Sequence, residues 1–253
     1  MFRSQYDTDV TTFSPAGRLH QVEYAMEAVK QGSCVVGICS KNFAVLAAYR
    51  RHQAELASHQ KKLFKIDNHI GIGISGLVAD ARGLARFMRT EALNHKYVYN
   101  APMPSSRLVT LLSDKSQVYT QTSAKRPYGV GLLVIGADKS GIHLFETSPS
   151  GVFFEYIAHA FGSRSQSAKT YIERHVDEFK DLNLDELIKH ALTALKGTIA
   201  DGELTSTNCE VAFVAKDRPF TILQDETLEP YVDQVVDEAE AEAGSGAAMQ
   251  DDE

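Results

Sequence analysis

The order in which short apolar runs and long amphipathic runs follow one another constrains this chain more than any single residue does. Runs with strand character come first, at Cys34–Ile38, Phe43–Ala47, Lys62–His69 and Ile70–Ser75, with a hairpin turn at Ser40, Lys41 and Asn42. Two helical stretches follow. The first, Leu77 to about Asn100, sets Ala81, Leu84, Ala85, Met88 and Ala92 on one face; the second opens with Pro104 in its first turn and brings Leu108, Leu111 and Leu112 inward. Strands return at Val130–Ile135 and Ile142–Phe145, joined by a turn over Asp138–Gly141. A second helical pair covers Ser163–Lys180 and Leu184–Ile199, and strands at Glu210–Ala215 and Phe220–Leu223 precede a last short helix. Tight turns make neighbouring strands antiparallel, and helix pairs set between strand groups cover the outer faces of stacked sheets. The expected fold is therefore α+β: a single-domain, four-layer αββα sandwich of two antiparallel sheets.

Two segments stand outside that alternation. Residues 1–18 read as an irregular arm with a turn over Ser14–Gly17, followed by a helix from Arg18 to Lys30. In that helix Leu19, Val22, Met26 and Val29 form one apolar stripe, and Gly32 suits the position just past its end. At the other end, Asp225 to Glu253 holds 11 acidic residues and no Lys or Arg, leaving 26 basic against 22 acidic residues elsewhere. The Ala- and Glu-rich run from Glu238 has almost nothing to bury, so it is expected to be disordered. The organisation predicted is an arm over 1–18, a sandwich over 19–224 that includes the first helix, and a short helix with an acidic disordered tail over 225–253.

Composition removes several functions. There is no Lys/Arg stripe interleaved with aromatics, which argues against nucleic acid, and no apolar run long enough for a membrane span. The first ten residues lack the apolar core of a secretory signal. Cys34, Cys39 and Cys209 have no metal-ligand spacing and read as free thiols of a reducing compartment. None of the nine histidines falls in an H-x-H or H-E-x-x-H pattern, so no metal site is expected. Gly71–Gly76 matches a dinucleotide-binding glycine pattern, but Ile70, Ile72 and Ile74 alternate with the glycines as in a strand interior. Gly32-Ser33 ahead of a strand is what a self-cleaving hydrolase would need: cleavage would free an amine to act as base for the Ser33 hydroxyl. A glycine ending a helix before a strand explains the same pair.

The run from Phe13 to Gly32 closely resembles the signature of proteasome alpha-type subunits, and Gly76–Arg82, Arg126–Gly131 and Gly162–Ala168 match further motifs of that family in order. The resemblance covers about residues 5 to 224. It implies an N-terminal-nucleophile hydrolase-like sandwich without a catalytic centre, since Ser33 falls where active beta-type relatives expose a threonine, Tyr49 near their aspartate and Lys62 near their lysine. It implies a structural and gating role in an outer ring of seven different alpha subunits, stacked on beta-ring subunits and docked by a regulatory particle or other activators. That role belongs to ATP- and ubiquitin-dependent protein degradation in cytoplasm and nucleus, with no cofactor, nucleic acid or membrane. Tyr6, Asp7, Pro15 and Tyr24 match the cluster that holds family arms open, with Thr8 where an arginine is usual. Lys62, Glu23 and Gly32 match parts of an activator-docking pocket, and the stripe Leu19, Val22, Met26 and Val29 matches the helix that packs across the ring. The enzyme alternative is an autoprocessed hydrolase using Ser33.

Overall fold

The glycines of the Ile70–Gly76 segment explain how closely the two sheets stack. In the computed structural model, which describes residues 5–51, 56–58, 60–200, 202–223 and 225–248, this segment is a central strand. Its isoleucines point into a helix-covered core, while a Cβ on Gly71 would fall 1.8 Å from the Phe220 ring and one on Gly73 2.8 Å from Val35. Those two glycines therefore admit side chains of the facing sheet, and the strand runs through the glycines, as their alternation with isoleucine predicts, instead of ending before them as a dinucleotide site requires.

The chain begins with α1 (His20–Gln31), then β1 (Val35–Cys39), β2 (Phe43–Tyr49), β3 (Leu63–Asp67) and β4 (Ile70–Gly76). Next come α2 (Val78–Tyr99), α3 (Ser105–Thr120), β5 (Val130–Ala137), β6 (Ile142–Thr147), β7 (Phe153–Glu155) and β8 (Ala158–Phe161). The chain continues with α4 (Ser165–His175), a 3-10 turn (Phe179–Asp181), α5 (Leu184–Lys196), β9 (Cys209–Ala215), β10 (Thr221–Leu223) and α6 (Asp225–Ala248). One antiparallel sheet has the order β10-β9-β2-β1-β8 and the other β3-β4-β5-β6-β7. Three apolar clusters fill the sandwich. Val35, Leu46, Leu133, Leu144 and Phe220 lie between the sheets; Ile72, Met88 and Leu112 lie under α2 and α3; Ile38, Phe179, Leu192 and Val232 lie under α4, α5 and α6.

The residues that α2 buries are Ala81, Leu84, Ala85, Met88 and Ala92, the face its periodicity predicts. Three expectations change. The strands β7 and β8 fall in a stretch read as connection, because three or four residues of mixed polarity carry no period and are defined only by pairing with β6 and β1. The helix expected to reach Lys180 stops at His175, and the turn after it carries Phe179 into full burial. Finally, α6 continues to Ala248, through a run expected to be disordered; Ala and Glu are among the strongest helix formers, which an argument from burial alone overlooks. Met1–Ser4, residues 52–55, His59, Asp201, Gln224 and residues 249–253 lie outside the described residues.

Candidate functional site

Where α1 gives way to β1, backbone packing leaves room only for glycine. Gly32 has an ordinary extended conformation (φ −63°), so no left-handed turn requires it. A Cβ there would lie 2.2 Å from Ser75 Oγ and 2.3 Å from the Gly76 nitrogen. The Gly32 carbonyl accepts from the Ser163 N–H at 2.6 Å, which ties the end of α1 to the turn before α4.

Ser33, buried, follows directly. Its carbonyl accepts from Ser75 Oγ at 3.1 Å and from Lys62 Nζ, and its hydroxyl oxygen accepts from the same Nζ at 2.6 Å. Lys62 is only 3% exposed. Burial pushes its amine down from the usual 10.5 to about 7, the Cys34 thiol opposes this, the Arg51 charge adds to it and Glu210 opposes it. Glu210, also buried, aims its carboxylate at the backbone: Oε2 accepts from the N–H groups of Lys62 and Leu63, each at 3.1 Å, and Oε1 from Arg50 at 3.3 Å. Sequence reading missed Glu210, although a lone acid inside the apolar run of β9 was a signal for it.

A serine oxygen beside a near-neutral amine is part of a nucleophilic apparatus, but two pieces of the N-terminal type are missing. The nitrogen of Ser33 is held in the peptide bond to Gly32, and α1 ahead of it packs on β4 and β5. Tyr49, which the resemblance sets near the supporting aspartate, is a ladder residue, pairing with Cys209 and donating its N–H to the Cys34 carbonyl at 3.0 Å.

The arm folds back on α1. Tyr24 donates its hydroxyl to Asp7 Oδ2 at 3.2 Å, and Gln21 Nε2 donates to the Asp7 carbonyl. Val10 is buried, and the turn closes through Gly17 N–H to Ser14 O at 2.8 Å. Of the four expected gate residues, Asp7 and Tyr24 are thus brought together, Pro15 sits exposed in the turn, and Tyr6 is 38% exposed. The stripe on α1 divides. Val22 and Val29 are buried in this chain's own sandwich, Leu19 is half-buried, and Met26 is exposed, as are Tyr24 and Phe13.

Gly32, Ser33 and Lys62 line one side of a cleft of about 940 Å³, together with Arg51, Lys61 and Arg82, and no carboxylate is among its described lining residues. Glu23 is not part of that wall. It pairs with Arg18 at 2.6 and 2.8 Å and stands 3.6 Å from His20. Among the described residues no group of His, Cys, Asp or Glu is placed to hold a metal, and no helix is long and apolar enough to cross a membrane.

An αββα sandwich whose first strand is preceded, two residues earlier, by a hydroxyl residue beside a buried lysine defines the N-terminal-nucleophile hydrolase-like class, here with the nucleophile's amine still in a peptide bond. The family pattern described as "Proteasome subunit" matches residues 29–214, and the N-terminal signature of A-type proteasome subunits matches residues 6–28, the arm and most of α1. The chain belongs to the family of proteasome alpha-type subunits. It is 51% identical to the alpha type-1 proteasome subunit of Dictyostelium discoideum, over 96% of this chain and 98% of that protein. It is 50% identical to the probable alpha type-6 proteasome subunit of Schizosaccharomyces pombe, over 98% and 92% of the two chains. Against the alpha type-1 proteasome subunit of Drosophila melanogaster the identity is 49%, over 92% and 85%.

Proposed function

We propose that this chain is a non-catalytic structural and gating subunit of the outer alpha ring of the proteasome core particle. It would take one place in a ring of seven alpha subunits, seat on a beta ring, and receive a regulatory particle or other activator during ATP- and ubiquitin-dependent degradation in cytoplasm and nucleus. The observation that carries this reading is the unbroken run from the alpha-type signature through α1 to Ser33: the segment an active relative would discard is here built into the fold, and it keeps the serine's nitrogen acylated.

In this reading Tyr6, Asp7, Pro15 and Tyr24 bias the arm between closed and open arrangements, a balance that small contact energies can tip. The exposed Met26 and half-buried Leu19 contribute to contact across the ring, with Val22 and Val29 holding the helix to its own domain. The cleft at Gly32 and Lys62 takes the terminal carboxylate of an activator, an anion suited to a wall that carries Arg51, Lys61 and Arg82 as well. Glu23 stands outside that wall, with its carboxylate taken up by Arg18.

Native mass spectrometry of the endogenous complex, with ejection of this chain and measurement of its intact mass, tests the proposal. A chain that retains α1, ejected from a very large two-fold symmetric assembly, is the expected result. A chain beginning at Ser33, or a small free protein, would overturn it.

A further inference from the structure

Ser33 and Arg51, which line the large cleft, also line a second, smaller cavity of about 300 Å³. Its walls come from four separate places: Ser33 and Cys34 just ahead of β1, Arg51 after β2, Ser163 and Arg164 before α4, and Thr198 after α5. Arg51 and Arg164, both exposed to solvent, line it together with several hydroxyl-bearing residues, and no carboxylate is among its described lining residues. Arg50 bonds Glu210, the Thr207 carbonyl and Asp225, whereas neither Arg51 nor Arg164 has a side-chain partner among the described residues.

The backbone adds an independent sign. Arg164 has φ +59° and ψ +19°, and it is one of two non-glycine residues with positive φ among those described; the other is Asn100. Asparagine tolerates that region, but a long side chain there is uncommon and costs energy. The conformation is fixed by the Ser163 N–H bond to Gly32 and by Gly162, whose missing Cβ would sit 2.8 Å from the Ser33 carbonyl oxygen. The result is an arginine set at the cavity wall at a local cost that its own side-chain contacts do not offset. Ser33 contributes from the floor. Its oxygen already accepts from Lys62, so its hydroxyl proton is left to donate elsewhere.

We infer that this cavity is a binding site for a tetrahedral oxyanion of the phosphate class, clamped between the Arg51 and Arg164 guanidiniums with the Ser33 hydroxyl beneath. Planar forks with several N–H donors suit phosphate oxygens, and two of them match the one to two negative charges phosphate carries near neutral pH. The volume is ample for a phosphate group. Inorganic phosphate would enter whole; a phosphomonoester would insert its head and leave its alcohol portion at the mouth. The site is distinct from the wall that meets an activator carboxylate, although Arg51 borders both, so occupancy of one should alter the other.

The full chain would be titrated with inorganic phosphate, and separately with glycerol 2-phosphate, at constant ionic strength with chloride as the reference anion. The readouts are calorimetry and the side-chain Nε–H signals of the arginines by NMR. Saturable binding is expected, with two arginine signals shifting together. Arg51→Gln and Arg164→Gln should each weaken it about tenfold, while Arg107→Gln on α3 leaves it unchanged. Stronger binding of the monoester would identify an organic phosphate as the occupant, and equal binding the free ion. The arginine signals of the unaltered chain keep the test decisive even if a variant fails to fold. Absence of saturable binding, or binding indifferent to both substitutions, would overturn the inference, and neither result bears on whether the chain joins a ring.

Discussion

Replacing Lys62 by Met should make the protein more stable at neutral pH, and the gain should shrink as pH rises. Lys62 keeps its proton up to about 10.5 in the unfolded chain but only to about 7 in the folded one. Between those values folding releases a proton, so the native state gains stability with rising pH. With those two values, the cost of holding an ionisable amine at this site is about 4 kcal/mol at pH 7 and about 2 kcal/mol at pH 9. Little is left unpaired by the change, because the Ser33 carbonyl still accepts from Ser75 and the Ser33 hydroxyl can turn to donate. Methionine also fills a similar volume with a flexible, apolar chain. Lost packing and the lost amine bonds subtract from these figures, so the pH trend is the sharper observable: the difference between variant and parent should fall by about 2 kcal/mol from pH 7 to pH 9. Urea denaturation of both full chains across that window measures it. The buried thiols work in the opposite direction, since burial raises Cys34 to about 11 and Cys209 to about 12, and their contribution is lost above about pH 9. They are shared by both proteins and lie outside the window. Parallel stability curves for parent and Lys62→Met would refute the reasoning and show that the amine is not desolvated.

Gly32→Ala should lower the melting temperature of the full chain by several degrees, the signature of roughly 1–3 kcal/mol of overpacking, because the backbone nitrogen of Gly76 at 2.3 Å cannot move aside as a side chain could; an unchanged Tm would show that the junction yields. Met26→Asp is expected to block incorporation into the ring while leaving circular dichroism and Tm unchanged, as Met26 is exposed; Val22→Asp would unfold the helix from its own sandwich and so cannot separate the two effects. Normal assembly of Met26→Asp would remove this residue from the ring contact. Tyr24→Phe deletes the bond to Asp7, so limited proteolysis should cut faster within the arm with no change in global Tm, and an unaltered rate would mean that this bond does not hold the arm.

Much of this architecture was legible because it rests on local periodicity. The stripe of α2 is buried residue for residue as its spacing predicts, and alternating Ile and Gly in β4 marked a strand rather than a phosphate loop. The turn at Ser14–Gly17 and the hairpin after Cys39 likewise follow from residue types that permit them. Where pattern was absent, reading failed. The residues of β7 and β8 become strands only because β6 and β1 lie beside them, and α6 extends through residues whose helix propensity, rather than burial, carries it.

The sequence by itself determined the order of elements, the faces the helices bury, the lack of an acid at Tyr49 and the peptide bond that precedes Ser33, because each of these is a property of neighbours along the chain. Tertiary structure alone decided which polar groups are desolvated. In the polar run Gln60-Lys61-Lys62 nothing distinguishes a buried lysine from a solvated one; Lys62 meets Ser33 from 29 positions away and has its backbone held by Glu210 from 148. Arg50 and Arg51 are adjacent, yet one bonds Glu210, the Thr207 carbonyl and Asp225 and the other faces a cavity. Burial and charge pairing arise from contacts between distant segments, and no local pattern encodes them.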